Sequence, residues 1–499
     1  MSDQANDKPA GVRPPADHNP RTDPPLDFPD RPFGELAPAD YDALGFMAGL
    51  EVHQQLLTRG KLFCRCPAAL STDRVDAEVL RHMRPTLSEL GEYDGTALME
   101  FKTRKEIIYQ LDRRSICTYE IDDTPPFPVD LESVLISLEI ARLFELNLVS
   151  ELHVMRKQYL DGSIPTGFQR TAMVGLTGEI PFRESELGRD RMLRIRQLSL
   201  EEDSCREVED VGHRIVFRTD RLGTPLIETV TEPDLLTPND VASAGLLLAH
   251  IARSTGKVRR GPGAARQDVN VSVAGGRRIE IKGVPNLRLI PHLVHNEALR
   301  QLNLLRVRAA LRDRGVTAEM LPIPDKGLPW ESSDLVAEVS ASLLGAGDSP
   351  ARRALGRGET VCAIRLPGFA GLLEHPLQPG LPYAHELSER VRVIACPVTP
   401  PYMAHSDWPD EMSISKAVWN ELRGALSAGR EDAVVMVWMP RDDAATAARE
   451  VLIRAAETLE GIPAETRQPW PDGRNGFERI LPGPDRMYPD TDTPPLPIE

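Results

Sequence analysis

The stretch QDVNVSVAGGRRIEIKGV, residues 267–284, decides the fold. Val269, Val271 and Val273 alternate with Asp268, Asn270 and Ser272, and beyond Gly275-Gly276 the residues Ile279 and Ile281 alternate with Glu280 and Lys282. Alternation on both sides of a glycine pair is the signature of a β-hairpin. Its register can be derived. A two-residue loop at Gly275-Gly276 pairs Val271 with Glu280 and sends the two apolar sets to opposite faces. A three-residue loop, 274–276, pairs Val271 with Ile279, Asn270 with Glu280 and Asp268 with Lys282. Only the second register leaves one clean buried face, because the side-chain period is two. The other face then collects Asp268, Asn270, Glu280 and Lys282, which form either a solvated surface with an ion pair or a site.

Outward from the hairpin, strands and helices mix. In Met47–Gln54, Leu50 and Val52 fall on one face and Glu51 and His53 on the other. Residues 213–231 read as strand, a Gly223-Thr224-Pro225 turn, then strand. Helices are expected over 131–149, with Leu131, Val134, Leu135, Leu138 and Leu146 facing the core, and over 238–256, entered at Thr237-Pro238 and ended at Gly256. A long helix is expected over 287–314, with Leu299, Leu302 and Leu305 on one stripe. The class is therefore α+β. Residues 36–330 form a first domain, and 335–470 a second of α+β type, with a strand at 361–367 and a helix at 442–460 whose face is Leu452, Ala456 and Leu459. Residues 1–35 are Pro-rich and poor in apolar groups, and are expected to be disordered. The segment 476–499 is again Pro-rich but carries Met487 and Tyr488 among acids, and is expected to be ordered.

The chain has 499 residues, 41% hydrophobic and 27% charged, which suits a globular protein with a sizeable core. No apolar run is long enough to cross a membrane. Asp and Pro stand where a signal peptide has a basic start and an apolar run, and six Cys are too few for a disulfide scaffold, so a reducing cytoplasm is expected. With 59 basic and 75 acidic residues the net charge is −16, which argues against indiscriminate nucleic-acid binding but leaves room for a local basic patch.

Lone motifs are absent. There is no Walker A sequence, no GxGxxG after a strand and no GxSxG elbow. Cys64-Arg65-Cys66 has no second CxxC to complete a Cys₄ site, and two reduced structural thiols is the better reading. What stands out is acids in apolar company: Glu51 and His53 on one strand face, Glu201-Glu202-Asp203 after Leu198-Ser199-Leu200, and Glu228 within Pro225-Leu226-Ile227. A carboxylate buried in a strand is costly unless paired or bound to a cation, and hard oxygen ligands suit Mg²⁺ shared with phosphates.

Six separate motifs carry a resemblance. GLEVHQQLLTRGKLFCRCP (49–67) resembles the opening of the B/E subunit family of glutamyl-tRNA(Gln) amidotransferases. So do HVMRKQYLDGSIPTGFQRTAMVGLTGEI (153–180), LEEDSCR (200–206), DRLGTPLIETVTEPD (220–234), the hairpin segment 256–284 and RMYPDTDTPP (486–495). Their wording is most similar to the archaeal E-type subunit. The resemblance implies a cradle-shaped, kinase-like catalytic domain. It also implies an insertion like that of bacterial aspartyl-tRNA synthetases, marked by IRLPGFAGLL (364–373), and a segment 476–499 that returns to the catalytic domain. In that family ATP phosphorylates the side-chain carboxylate of glutamate carried on a tRNA, and ammonia displaces the phosphate. The implied cofactors are ATP and Mg²⁺. The implied partners are tRNA and an ammonia-donating asparaginase-like or amidase subunit, within a homo- or hetero-oligomer.

Carried over by position, the resemblance implies metal ligands at Glu51, His53, Glu202 and Glu228, and catalytic roles for Glu202, Asp268 and Lys282. It implies nucleotide or substrate contacts at Tyr159, Gln169, Arg170, Asn270 and Glu280. Two departures bear on the substrate. The sequence ends at Glu499, where tRNA-serving members continue into a helical and a tail domain, and Ala264-Ala265 replaces the family's Thr-Ile. Two alternatives therefore stand beside tRNA amidation: the same chemistry on a small-molecule, peptide or carrier-bound carboxylate, and a non-catalytic adaptor.

Overall fold

The computed structural model of the chain describes residues 17–68, 73–82, 95–324, 327–345, 347–408, 411–481 and 487–498. Its centre is an eleven-stranded sheet among these residues. In chain order the main strands are β1 (Met47–Gln55), β2 (Val154–Gln158), β3 (Phe168–Arg183), β4 (Asp190–Glu202), β5 (Pro225–Thr231), β6 (Ala265–Ser272), β7 (Ile279–Val284), β8 (Glu465–Pro469), β9 (Asn475–Ile480) and β10 (Met487–Pro489). They lie in the order β9-β8-β7-β6-β1-β5-β4-β3-β2-β10, and Asn147–Leu148 pairs with β3. Every neighbouring pair is antiparallel except β7 with β8.

The β6–β7 hairpin has the three-residue loop register. Val271 faces Ile279 and Asn270 faces Glu280, and Val269, Val271, Val273, Ile279 and Ile281 are all 0–1% exposed. Each such side chain contributes about 2 kcal/mol of burial. The expected Asp268–Lys282 backbone pairing does not form. The register shifts between Val269 and Gln267, which faces Val284 instead. The extra residue is Gly283, at φ 64°, a conformation that suits glycine. Its N–H thereby turns to donate to Asp268 Oδ1 at 2.7 Å.

Helices α1 (Leu131–Leu143), α2 (Pro238–Ser254), α3 (Ile290–Asp313) and α4 (Tyr383–Ala395) pack on the large sheet, and α5 (Arg441–Glu460) packs on α3 and α4. Thr237 caps α2 by accepting from the Asp240 N–H at 3.3 Å, with Pro238 in the first turn. In α1 the expected stripe is rotated. Leu131 and Leu135 are 61% and 66% exposed, whereas Val134, Ser137, Ile140 and Ala141 are buried. The helix also stops at Leu143, so Leu146 reaches the core from the connection rather than from the helix.

Helix α3 is buried nearly all round, and its Glu297 and Arg300 belong to a buried ion network. Arg300 contacts Glu297, Glu386 and Glu465; Arg467 contacts Glu386 and Glu465; Arg454 contacts Glu386; Arg390 contacts Glu450 and Glu457. This network ties α3, α4, α5 and β8 into one block.

A second, four-stranded sheet runs Val336–Glu338, Thr360–Leu366, Ala433–Met439 and Met403–His405, with α5 packed on it. The fold is mixed α+β. Its second unit ends before 470, because Glu465–Pro469 is β8 of the large sheet. The N-terminal expectation also needs correction. Residues 1–16 lie outside the described residues, but 17–35 are packed on the molecule. Asp17 pairs with Arg277, Asn19 donates to Gly45 O and Ser272 Oγ, Asp30 pairs with Arg306, and Phe28 is buried. Polar anchors replace the apolar surface that the segment lacks. No helix among the described residues is long and apolar enough to cross a membrane.

Candidate functional site

The polar face of the sheet carries the site. His53 on β1 stands opposite Glu228 on β5, and Glu51 stands opposite Asp268 on β6. The side chains meet accordingly. His53 Nε2 lies 3.3 Å from Glu228 Oε1. Asn270 donates through Nδ2 to Glu51 Oε1 at 2.9 Å. Lys282 Nζ lies 2.9 Å from Glu280 Oε1 and 3.2 Å from Asp268 Oδ2. Thus Lys282 and Asp268 do pair, although their backbones are out of register.

These residues border a cavity of about 550 Å³. Lys157, Arg196, Arg266, Arg278, Lys282 and Arg479 bring positive charge to it, and Tyr159 and Gln169 line it from the β2–β3 side. Asn270 belongs to an adjoining hollow.

Period two decides which of the adjacent acids on β4 takes part. Glu201 stands opposite Thr171 and Leu226, on the site face, and accepts from Thr171 Oγ1 at 3.2 Å. Glu202 is in step with Leu198 and Leu200 and points to the other face. There it accepts from the Tyr119 hydroxyl and, at 3.1 Å, from the Arg170 N–H. Arg170 is on that face too, and its guanidinium donates to Tyr119 Oη and Asp490 Oδ2, both at 2.9 Å. Glu202 and Arg170, expected at the metal and substrate sites, thus lie on the face opposite His53 and Glu228, and it is Glu201 that brings its carboxylate to those two residues.

Two ligand-like groups result. In one, His53, Glu201 and Glu228 bring donor atoms within 4.8 Å of one another; in the other, Glu51, Asp268 and Glu280 do the same. Electrostatics mark both. Burial, with Glu280, Glu228 and Asp268 alongside, pushes the Glu51 carboxyl up to about 7, and burial beside Glu228 does the same to Glu201, to about 7. Burial alone would lower the His53 imidazole, but the hydrogen bond to Glu228 and the charges of Asp268 and Glu228 lift it to about 9. Burial would raise Glu228, yet Lys157 and His53 hold it down at about 2. Likewise Lys282 and His53 hold Asp268 below the usual carboxylate range against burial, and Glu280 and Asp268 keep Lys282 charged. His53 Nδ1 is buried with no hydrogen-bond partner. Two carboxyls raised by burial beside like charges, next to an unpaired imidazole nitrogen, fit a hard divalent cation.

A third group lies apart from the cavity lining. Cys64, Cys66, Cys117 and Glu120 bring ligand atoms within 4.8 Å of one another. Lys61 Nζ, fully buried 2.6 Å from Glu120 Oε1, already supplies a cation there. The Cys64 side chain, hydrogen-bonded to Cys66, lowers the Cys66 thiol to about 6.

Sequence reasoning singled out Glu201 among the acids in apolar company but gave the role to Glu202, and it missed Lys157, Arg196, Arg266, Arg278 and Arg479. For Glu201 the signal was present: Leu198 and Leu200 fix the buried face, and period two excludes Glu202 from the other. The cations come from separate strands and had no local signal.

Comparison with known proteins agrees with the motifs. Residues 46–499 match the family described as "GatB/GatE catalytic domain". The chain is 40% identical over 460 residues to the E-type subunit of the glutamyl-tRNA(Gln) amidotransferase of Methanocaldococcus jannaschii, covering 92% of this chain and 70% of that protein. The same-named protein of Aeropyrum pernix is 40% identical over 467 residues, and that of Thermococcus sibiricus 39% over 457, each covering 92% of this chain and 69% of the relative. With a match over most of its length and such identity to these relatives, this chain belongs to the GatB/GatE family.

Proposed function

We propose that this protein is the catalytic subunit of an ATP-dependent amidotransferase that converts Glu-tRNA(Gln) to Gln-tRNA(Gln). The observation that carries the reading is the convergence of five potential ligands (Glu51, His53, Glu228, Asp268 and Glu280) and six cationic side chains on one cavity of a GatB/GatE-type chain, with Glu201 beside His53 and Glu228. The large sheet would be the catalytic cradle, and the second sheet unit the counterpart of the insertion in bacterial aspartyl-tRNA synthetases.

The chemistry follows from the charges. A glutamate carboxylate is a poor electrophile because oxide is a poor leaving group. Its oxygen attacks the γ-phosphorus of ATP and ADP leaves, giving an acyl phosphate. Ammonia then attacks the acyl carbon and phosphate leaves with the bonding pair, giving the amide. The difficulty is bringing a carboxylate to a polyphosphate. Lys157, Arg266 and Lys282 bind and orient the phosphate oxygens, and Lys282 is itself fixed by Glu280 and Asp268. His53, Glu201 and Glu228, with Glu51, Asp268 and Glu280, would hold Mg²⁺. When bound, Mg²⁺ neutralises phosphate charge and templates the transfer. Tyr159 and Gln169 border the substrate side. The ammonia donor would be a separate asparaginase-like or amidase subunit, and the setting cytoplasmic.

The test supplies ammonium chloride in place of the partner. With Mg²⁺, ATP and Glu-tRNA(Gln), stoichiometric ADP and Gln-tRNA(Gln) are expected. ADP release with small carboxylates but not with the tRNA would move the acceptor elsewhere. No ADP release with either would leave an adaptor.

A further inference from the structure

We infer that the N-terminal strap, residues 17–20, completes a pocket for the base of the nucleotide, so that part of the nucleotide selectivity resides outside the family domain. The inference rests on the proposed use of ATP. The family match begins at residue 46, so the strap lies outside the matched domain.

The cavity continues along the same sheet face into a second hollow of about 400 Å³. Glu51, Arg196, Val230 and Arg278 line both, and stand where one opens into the other. Met47 and Gly49 precede Glu51 on the same face of β1, and Asn270 and Ser272 follow Asp268 on the same face of β6. The hollow therefore extends the site toward the start of β1. Its far wall is Asp17, His18, Asn19 and Pro20.

That wall is built, not draped. Asp17 accepts from Arg277 Nε at 2.9 Å, and its carbonyl accepts from the Arg278 N–H at 2.6 Å. Asn19 donates through Nδ2 to Gly45 O at 2.9 Å and to Ser272 Oγ at 3.0 Å, and its N–H donates to Gly276 O at 3.0 Å. The strap is thus fastened to the hairpin loop, and the same backbone bond fixes where Arg278 starts.

The lining states what would fit. The main cavity is crowded with charge; this hollow presents Met47, Val230, Pro233 and Pro20 between Glu51, Arg196 and Arg278 at the shared mouth and the polar strap at the far end. It is a slot with an apolar stretch, opening into the cavity whose cations would hold phosphates. Asn270 gives it direction. Its Nδ2 is used by Glu51, while its Oδ1 is buried without a partner. A buried amide oxygen without a donor is costly, and a ligand that donates to it recovers that cost. The exocyclic amino group of adenine is a donor on a flat apolar ring, linked through ribose to phosphates.

The test compares ATP, inosine triphosphate, which has a carbonyl in place of that amino group, and inorganic tripolyphosphate. Binding of each to the full chain with Mg²⁺ is measured by calorimetry. For the unaltered protein, ATP should bind at least 10-fold more tightly than inosine triphosphate. Asp17→Ala and Arg277→Ala, which loosen the strap from opposite sides, should each weaken ATP at least 10-fold. Both should leave tripolyphosphate within 2-fold and reduce the ATP preference below 3-fold. Equal binding of the two nucleotides by the unaltered protein, or an ATP preference unchanged in both variants, overturns the inference. Failure of the unaltered protein to bind any of the three removes the proposed function itself. Circular dichroism of the variants separates loss of the strap from loss of the fold.

Discussion

Adjacent glutamates on one strand make a sharp test of the site. The perturbation is Glu201→Gln set against Glu202→Gln. The donor atoms of Glu201 and Glu228 lie within 4.8 Å. Two unit charges at that separation repel by about 3 kcal/mol at an effective dielectric of about 20. His53, 3.3 Å from Glu228, offsets part of this. Glu201→Gln keeps the volume and removes the charge, so without metal it should leave the protein as stable or stabilise it by up to about 3 kcal/mol. The same change removes an anion from the proposed cation site and should weaken Mg²⁺ at least ~10-fold, the lower end of what supporting groups of metal sites cost. Glu202→Gln reverses the pattern. It removes charge from the acceptor of the Tyr119 hydroxyl and the Arg170 N–H, costing about 1.5–3 kcal/mol of stability while leaving Mg²⁺ affinity within ~3-fold. Urea unfolding without metal and Mg²⁺ calorimetry with an ATP analogue read the two quantities. Loss of Mg²⁺ binding in Glu202→Gln with retention in Glu201→Gln would refute the assignment of faces.

Three further predictions address the rest of the molecule. Glu386 faces Arg300, Arg454 and Arg467 in the buried network, so Glu386→Gln should cost about 3–5 kcal/mol in urea unfolding, and a loss under 1 kcal/mol would show the arginines to be compensated elsewhere. His295 is 1% exposed, and burial lowers its imidazole to about 4 from an ordinary 6.5. The unfolded chain then binds the extra proton first, so this contribution of about 3 kcal/mol is present above pH ~6.5 and lost as pH falls toward ~4. His295→Gln should flatten the stability profile in that window, and an unchanged slope counts against it. Cys66, half-buried with its thiol at about 6, should be the first cysteine alkylated by iodoacetamide at pH 7, ahead of buried Cys64, Cys205, Cys362 and Cys396; peptide mass mapping would show the order.

Local periodicity was enough for much of the site. Alternation alone places Glu51 and His53 away from Leu50 and Val52, and fixes the pairing of Asn270 with Glu280. It falls short where the backbone departs from the repeat. The bulge at Gly283 shifts Asp268 out of line with Lys282, and nothing in a run of alternating residues announces one extra residue. Glu202 is a different case. Position-by-position likeness put it in the metal set, while the leucines preceding it place it on the opposite face. In α1, Leu131 and Leu135 were assigned inward because leucine is apolar, yet which stripe a helix buries depends on its neighbours. Residues 17–35 looked disordered because composition weighs apolar content and is blind to specific ion pairs such as Asp17–Arg277 and Asp30–Arg306. The convergence of Lys157, Arg266 and Lys282 depends on strand order in a sheet assembled from distant segments, which no local pattern encodes.

The parallel pairing of β7 with β8 has a consequence for synthesis. Some 180 residues separate the two strands, and they include the entire second sheet. Strands β8 and β9 seal one flank of the large sheet, and β10 seals the other beside β2. A nascent chain emerging from the ribosome must therefore carry a sheet open on both flanks, with β7 and β2 offering unsatisfied amides and carbonyls, until those strands arrive. Such edges template pairing with other chains, and distant closure is slow. The window between translation of β7 and of β10 is where this protein is most exposed to aggregation and most dependent on chaperones.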